Sequence, residues 1–385
     1  MQHSKRKFIR IIGGGIVVAA GAATTGFLTT RTPHRAYEPW SHAGKYSDPR
    51  LRALSYAILA PNPHNRQPWM VQLDGDNGVT LRVDTTRLLK ETDPFDRQIT
   101  IGLGCFIELM VQAAANDGYR VEVTEFPHGS DSSFLDDRPI VTAVFEKSAE
   151  VKPDPLFAAV LNRRSCKEPF DKHRQVPTTG LHELESVVAD ATTFTIHTTD
   201  NKEDVAFLRD LTFKAFEREY VTPAKFQESI DLMRMGKTEI EASPDGIDIG
   251  GPFLESLILM GMMNRKNLAD PDSSAFSKGL DMYRDVFSSA KAYVWITSSS
   301  NDRSSQIESG RAWVRVNLAA TIQGLSLHPI SQALQEYPEM KEFHEALHMR
   351  LAPQGQTVQM LGRLGYAEPI DPSPRWPLSV KIVNG

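Results

Sequence analysis

Three polar residues in one short basic stretch could bind an anion. Arg163, Ser165 and Lys167 supply a guanidinium, a hydroxyl and an ammonium group. These donors suit a phosphate group, which carries negative charge near neutral pH and accepts several charge-assisted hydrogen bonds. The stretch could equally be a solvated basic turn before Pro169, because basic clusters usually lie on the surface. The residues alone leave both interpretations open.

A second polar segment lies about a hundred residues earlier, where residues 60–69 read A-P-N-P-H-N-R-Q-P-W. The side-chain amides of Asn65 and Gln67 can both donate and accept hydrogen bonds. His64 adds an imidazole that could reach a ligand, although a lone histidine is more often structural. Asn and Pro also favour turns, so an ordinary turn is the alternative interpretation.

The two segments together resemble elements of the nitroreductase (flavin reductase) family. Residues 60–69 are similar to its A-P-S-x-x-N-x-Q-P-W stretch, and residues 163–167 to its R-x-S-x-K element. Each half of the chain has the element that the other half lacks, so the chain most resembles the fused, single-chain branch, the Acg type. The resemblance implies an α+β fold with an antiparallel-rich central sheet flanked by helices, in two pseudo-symmetric halves.

The resemblance also implies tightly bound FMN and assigns residues to it. The flavin phosphate is expected to contact Arg163, Ser165 and Lys167, with Arg375 returning to it from the C-terminal tail. A backbone amide after a proline is expected to face flavin N5. The family's acidic residue and glycine are missing at that place, which puts the usual hydride geometry in question. The remaining cofactor-binding residues implied are Pro61, Asn62, His64, Asn65 and Gln67 near the ring, and Pro329, Ile330 and Ser331 near N5.

The function implied is that of an FMN-dependent oxidoreductase. It would pass electrons, with NAD(P)H as a possible donor, to a small organic acceptor that the sequence does not identify. One alternative is a flavin storage or sequestration protein without turnover, and another is an exported structural domain without a ligand. We assign no catalytic residue from the sequence.

An internal repeat supports two related halves. A loop and a helix that ends at glycine occur twice, with an offset of 206 residues between the copies. Glycine and alanine faces allow two helices to pack closely, as at a twofold interface. We therefore expect a pseudo-dimer within one chain, a single flavin site at the joint between the halves, and a monomer. The repeated residues are Asp96, Arg97, Gly104 and Gly118, matched by Asp302, Arg303, Gly310 and Gly324.

Residues 1–30 are predicted to be an export signal or a membrane anchor. Lys5, Arg6, Lys7 and Arg10 precede a run without charged residues over 11–30, and this order is typical of targeting segments. The pattern resembles a twin-arginine signal with Lys5 in place of the first arginine. We expect an exported protein, periplasmic or membrane-anchored, that contacts membrane only through this segment. A buried N-terminal helix is the alternative.

The rest of the chain is predicted to contain a linker over 31–47, an N-terminal half over 48–152 and a C-terminal half over 153–385. Within the C-terminal half, residues 220–285 are expected to form a lid over the flavin.

Composition narrows the choice of partners. The net charge of −5 and the pI near 6.1 give no general attraction to nucleic acid or to an anionic membrane. Two cysteines cannot form a disulfide framework, and no metal-ligand spacing such as H-E-x-x-H is present.

Overall fold

The computed structural model describes residues 30–131, 133–188 and 193–383. The described chain contains both helices and strands, with several runs of each kind. The predicted α+β class is confirmed. The strands form two larger sheets, one built mainly from each half, and strand β11 from the C-terminal end joins the first. Pairing within these two sheets is antiparallel at every interface except that between β1 and β11.

The first sheet has the strand order β11-β1-β2-β4-β3. Strand β3 alternates partly buried and exposed residues, as expected of a strand with one face toward the core. The second sheet has the order β5-β8-β10-β9. Its two inner strands are almost wholly buried, because helices or other chain segments cover both of their faces. The strands are β1 Trp69–Asp74, β2 Gly78–Val83, β3 Tyr119–Glu125, β4 Val141–Lys147, β5 Phe194–Thr199, β6 Met233–Met235, β7 Ile247–Ile249, β8 Ala292–Ser298, β9 Ser326–Pro329, β10 Thr357–Gly365 and β11 Ile382–Val383.

Two of the helices form the centre of the molecule, and the others surround the sheets or build a separate region around residues 202–288. The helices are α1 His34–His42, α2 Pro49–Ala57, α3 Arg97–Asn116, α4 Thr178–Glu185, α5 Lys202–Val221, α6 Pro223–Asp231, α7 Gly236–Ala242, α8 Pro252–Leu259, α9 Arg265–Ala269, α10 Ser274–Ser288, α11 Arg303–Ile322, α12 Lys341–Leu351 and α13 Leu378–Lys381.

The two halves meet where α3 crosses α11, and the crossing is symmetric. A Cβ added to Gly104 would lie 3.0 Å from the Cα of Gly310 and closer still to the carbonyl oxygen of Ile307. A Cβ on Gly310 would meet the carbonyl of Ile101 in the same way. The two helices therefore approach backbone to backbone, which only glycine permits. These equivalent contacts support the predicted relation between the two copies of the repeat.

The arginines of the repeat reach across the same joint. The Arg97 guanidinium donates to the carbonyls of Gln359 and Leu334, at 2.7 and 2.9 Å. Arg303 donates to the carbonyl of Asp131 at 2.9 Å. Each arginine thus satisfies backbone acceptors of the other half, so each half is locked to the other by buried hydrogen bonds.

The C-terminal tail returns to the first half. Strand β11 pairs in parallel with β1 at the edge of the first sheet, and the backbone amide of Arg375 donates to the carbonyl of Ala36 at 2.9 Å. A boundary at residue 153 therefore does not separate two independent structural units, because the end of the chain completes the sheet of the beginning.

The predicted linker over 31–47 differs in the structure, since residues 34–42 form α1. Trp40 is buried and its indole Nε1 donates to the carbonyl of Ser373 at 2.8 Å. The prolines and polar residues of this stretch suggested a loop, but an aromatic anchor packs the helix against the tail. The predicted signal over 1–30 lies, except for Thr30, outside the described residues.

The segment predicted as a lid spans α6 to α10 and rests on α5. Its apolar side chains belong to a second core that also includes residues around 330–361, with the aromatic rings of Phe216, Tyr220, Phe226 and Phe276 in mutual contact. The lid assignment itself stays a prediction. Within the described chain, α3 alone is long and apolar enough to span a membrane, and 89% of its apolar window is buried inside the protein.

We expect Gly310→Ala to destabilise the protein by about 2 kcal/mol or more, because the new methyl group overlaps the backbone of α3. Urea unfolding measures the change. Ile322→Ala, at an exposed position of the same helix, is the control and should change stability little. Equal stability of Gly310→Ala and the wild type would contradict the observed helix crossing.

Candidate functional site

The carbonyl groups at the C-terminal end of α2 hold two buried arginines. Arg163 Nη2 donates to the carbonyl of Leu59 at 2.9 Å. Arg375 donates to the carbonyls of Ile58, Leu59 and Ala60 at 2.9, 3.1 and 3.0 Å. The last carbonyls of a helix lack partners within the helix and carry partial negative charge. They therefore attract cations from two distant parts of the chain to one point.

Neither arginine forms an ion pair with a carboxylate anywhere in the described chain. Burial lowers the pKa of Arg163 to about 10 and that of Arg375 to about 9, and each guanidinium lies about 6 Å from the ring of Trp40. Both remain protonated at neutral pH. Arg163 Nε is buried and has no hydrogen-bond partner. The pair is thus a concentrated positive charge with unused donor capacity on Arg163.

Arg375 donates only to acceptors of the protein in this structure, and its predicted contact with the flavin phosphate stays a prediction. Its remaining donors contact Asn65 Oδ1 at 2.6 Å and the carbonyl of Pro374 at 2.9 Å. A guanidinium has five N–H groups, and with the three carbonyl contacts all five are used. Arg375 therefore fastens the tail to residues 58–65 and contributes charge.

The turn that follows α2 has an unusual backbone. His64, Asn65 and Gln67 have φ angles of 45°, 51° and 50°, in the left-handed region that residues other than glycine seldom adopt. The amide of Gln67 donates to Asn62 Oδ1 at 2.7 Å, which holds the turn closed. Such strained backbone is concentrated at functional sites, where the surrounding structure keeps it in place.

The side chains of Asn65 and Gln67 point to the tail and to the predicted lid. Asn65 Nδ2 donates to the carbonyl of Pro374 at 3.0 Å. Gln67 Nε2 donates to the carbonyl of Pro244 at 2.6 Å, and its Oε1 accepts from the amide of Trp376 at 2.9 Å. The prediction assigned both amides to a flavin ring. In the structure they join three chain segments instead, and Gln67 is fully buried.

The positive charge of one lysine acts on residues from both halves. We call the group Lys167, His64, Asp248 and His328 the Lys167 recess. The positive charge of Lys167 contributes to lowering the pKa of both histidines and partly offsets the raised pKa of Asp248. Lys167 and Asp248 are exposed and His64 is partly exposed, although burial perturbs the pKa of His64 and Asp248.

Burial sets the protonation of the recess. It lowers the pKa of His64 to about 4, with Lys167 and Arg66 adding to the effect. His64 is therefore neutral at pH 7 and can donate one hydrogen bond and accept another. Burial also raises the pKa of the Asp248 carboxyl. Tyr37 of α1 borders the same place, since burial and then the charge of Asp248 raise its pKa.

Strand β9 leads into the third predicted segment, Pro329, Ile330 and Ser331, and lies beside the basic stretch. The amide of Cys166 donates to the carbonyl of Leu327 at 2.9 Å, beside a parallel bridge between Ser165 and Leu327. Pro329 ends this strand. The amide of Ile330 donates to the carbonyl of Leu361 at 2.8 Å and its side chain is buried. The predicted contact of a backbone amide here with flavin N5 stays a prediction. Ser331 follows at partial exposure.

The structure thus gathers the predicted segments but adds residues that the sequence analysis did not select. Pro61 and Asn62 lie in the turn after α2, and Ser165 lies beside Arg163. Tyr37, Trp40 and Asp248 were missed. Tyr37 and Trp40 within α1, and Asp248 between two isoleucines, gave only weak sequence signals of a binding site. Neither feature has a recognisable spacing relative to the basic residues.

A cleft of about 460 Å³ is lined by none of the predicted site residues. Arg97, Asn301, Glu336, His344 and His348 are among its lining residues. Two of the Arg97 nitrogens donate to backbone carbonyls of the second half. Among the residues that the structure describes, no cluster of three or more His, Cys, Asp or Glu side chains is arranged to hold a metal ion.

The chain is similar over most of its length to curated nitroreductase-like proteins. It is 24% identical over 351 residues to "Putative NAD(P)H nitroreductase Rv3131" of Mycobacterium tuberculosis, which covers 85% of this chain and 88% of the relative. It is 25% identical over 344 residues to "Putative NAD(P)H nitroreductase acg" of the same species, covering 85% and 92%. The similarity extends across both halves. No family model matches the sequence.

Solved nitroreductase structures give weaker matches. A putative nitroreductase from Anabaena variabilis is 12% identical, covers 92% of this chain and 93% of that chain, and has a TM-score of 0.40. The FMN-dependent nitroreductase NfnB of Mycobacterium smegmatis, in complex with NADPH, is 13% identical, covers 58% and 94%, and has a TM-score of 0.35. At such TM-scores the site must be judged from its own residues.

We expect Arg375→Met to lower the free energy of unfolding by about 3 kcal/mol, because several buried acceptors lose their donors. Arg375→Lys should recover part of this loss, since an ammonium group supplies three donors. Urea unfolding tests both variants. Arg350→Met, which removes an exposed ion-pairing arginine, is the control and should change stability little, because exposed ion pairs are screened by solvent. Equal losses at both positions would contradict the role of Arg375.

We expect His64 to destabilise the folded state as the pH falls below 6.5. Its folded pKa of about 4 lies below the unfolded value of 6.5, so the unfolded chain binds the proton first. Between pH 6.5 and pH 5 the free energy of unfolding should fall by about 2 kcal/mol through this one group. His64→Asn, which tolerates the left-handed backbone, should remove that part of the pH dependence. His182→Asn, on an exposed helix face, should not.

Proposed function

We propose that this chain is an FMN-dependent oxidoreductase that takes electrons from NAD(P)H and reduces a small organic acceptor. The Lys167 recess carries the proposal, because residues of both halves converge there beside a buried cationic pair without carboxylate partners. The curated relatives are named NAD(P)H nitroreductases, which favours the same class of reaction.

The donor set around Arg163 fits a phosphate group. Lys167 and Ser165 are accessible, and the buried Nε of Arg163 lacks a partner. A phosphate would accept hydrogen bonds from Lys167 and Ser165, and a small rearrangement would bring the free donors of Arg163 to it. Arg375 would act through its charge alone. A dianion would also compensate the uncommon burial of two unpaired guanidinium groups.

The other residues of the recess would orient the cofactor and substrate. FMN, when bound, supplies hydride and electron transfer chemistry. His64 stays neutral, so it offers one donor and one acceptor without bringing a second cation toward Lys167. Trp40 and Tyr37 cover the site from α1. The charge of Lys167 acts on Asp248, and a phosphate dianion bound at Lys167 would repel this carboxylate.

Residues 243–249 favour a second candidate function, flavin storage without turnover. The amide of Gly246 donates to the carbonyl of Asn65 at 3.2 Å, and Asp245 forms ion pairs with Arg87 and Arg234. These ion pairs and hydrogen bonds lower the pKa of Asp245 to about 2. This segment fastens part of the predicted lid over the strained turn. A lid that remains closed would retain FMN but restrict access for a hydride donor.

We further propose that the flavin site is complete within one chain and that the protein acts as a monomer. The halves over 48–152 and 153–385 would each contribute one face of the site, with residues 220–285 as the lid. An exported location, with residues 1–30 as signal or anchor, is consistent with loading of the cofactor before transport.

We expect the purified protein to bind FMN in a 1:1 ratio, with a yellow absorbance that dithionite bleaches. Lys167→Gln should weaken FMN binding about tenfold, which corresponds to about 1.4 kcal/mol for one charge-assisted contact. Lys147→Gln, an exposed lysine on β4, is the matched control and should bind normally. Fluorescence titration of the apoprotein with FMN measures both. Failure of the wild type to bind FMN would overturn the proposal.

Turnover separates the two candidate functions. NADPH oxidation that depends on a nitroaromatic or quinone acceptor supports the oxidoreductase. Bound FMN that dithionite reduces but neither NADH nor NADPH reduces would instead favour storage.

A further inference from the structure

An exposed apolar corner lies at the end of α8. Leu259, Met260 and Met262, which we call the α8 corner, are 71%, 53% and 48% exposed. Exposed apolar side chains that lie next to each other mark interaction surfaces more often than isolated ones do. The established similarity and the proposed FMN site give these three residues no role.

The α8 corner is an ordered turn. The amides of Met260, Gly261 and Met262 donate to the carbonyls of Ser256, Ile258 and Leu257 at 3.1, 3.0 and 2.9 Å. Gly261 has a φ of 70°, as is common where a helix ends in a left-handed residue. The backbone therefore fixes the three apolar side chains in their outward directions.

Neighbouring residues hold the corner from behind. Leu257 is buried, and Ile258 and Met263 pack partly buried against the second core. The sequence thus alternates between side chains that anchor the turn and side chains that point to solvent. This arrangement presents Leu259, Met260 and Met262 as one surface on a fixed support.

The start of the described chain lies beside the same helix. Arg31 Nη1 contacts Glu255 Oε2 at 3.3 Å, and Lys237 Nζ donates to the carbonyl of Thr30 at 3.1 Å. Glu255 precedes Leu259 by about one helical turn, or about 6 Å along α8. Residues 11–29, which contain no charged side chain, are therefore joined to the described chain next to the α8 corner.

We propose that the α8 corner contacts a lipid bilayer on the same side from which residues 11–29 join the described chain. An uncharged run of nearly twenty residues is long enough to enter the apolar part of a membrane. Leucine and methionine side chains gain free energy when they leave water for that environment. Lys266, exposed just after the corner, adds a positive charge suited to anionic headgroups. This inference does not depend on FMN binding or turnover.

The corner would also set the orientation of the molecule on the membrane. Asp248 of the Lys167 recess precedes α8 by only a few residues, with Gly250 and Gly251 between them. Contact through α8 would therefore place the predicted lid next to the bilayer.

A fluorescent label at residue 260 tests the proposal in the full chain. Cys105 and Cys166 are buried, so the Met260→Cys variant can be labelled selectively with an environment-sensitive NBD maleimide. The membrane is supplied as vesicles of phosphatidylcholine and phosphatidylglycerol in a ratio of about 3:1. The anionic lipid gives the vesicles a negative surface like that of an anionic leaflet. Met349→Cys, on α12 and 71% exposed, is the matched control position.

We expect vesicles to shift NBD emission at residue 260 to shorter wavelength, and doxyl-labelled lipids to quench it several times more strongly than at residue 349. Equal signals at the two positions would mean tethering through residues 1–29 alone and would overturn the proposal. A blue-shifted emission already in buffer would mean that the corner is covered by protein. If that blue shift depends on protein concentration, a second copy of the chain covers the corner. If it does not, a segment of the same chain covers it. Either result would overturn bilayer contact.

A triple variant provides an independent readout. Leu259→Ser, Met260→Ser and Met262→Ser combined should leave the unfolding midpoint unchanged, because these side chains are exposed in the folded protein. The variant should also show reduced protection of residues 257–263 from hydrogen exchange when vesicles are present. Unchanged protection would contradict the proposal.

Discussion

The site depends on the attraction between the end of one helix and two buried cations. Carbonyls at the C-terminal end of α2 accept hydrogen bonds from Arg163 and Arg375, which are 104 and 316 residues distant in sequence from Leu59. These contacts act together with the pairing of β11 with β1 and the hydrogen bond from the amide of Trp376 to Gln67, which also hold the C-terminal tail beside the strained turn at His64. Within the described chain neither guanidinium forms an ion pair with a carboxylate, and the charge of Asp248 offsets only part of the effect of burial on the pKa of Arg375. The site is therefore suited to an anionic ligand.

The joint between the halves gives that site its stable frame. Close contact at Gly104 and Gly310 brings α3 and α11 together, while the tail adds β11 to the first sheet. A ligand at the Lys167 recess would therefore touch residues from both halves of one folded unit. In this chain the interface is internal, so its formation does not depend on protein concentration, as it would for two separate subunits.

The sequence predicted which segments meet, but less well what their side chains do. The α+β class, the related helices and the convergence of residues 61–67 with 163–167 and 375 all agree with the structure. The hydrogen bonds of Asn65, Gln67 and Arg375 were not predictable, because their acceptors are backbone carbonyls far away in the chain. Residues 34–42 were expected to be a linker, since their polar residues and prolines hid the burial of Trp40.

By itself, the sequence determined the chemical inventory: a basic cluster, an amide-rich turn and two glycine-containing helices at one fixed offset. These features are local, and spacing and residue type suffice to recognise them. Only the tertiary structure decided that all five N–H groups of Arg375 have acceptors, that the charge of Lys167 acts on Asp248, and that α8 carries exposed apolar side chains near Thr30. Burial and hydrogen-bond partners depend on which distant segments pack together, and that information is not contained in any single segment.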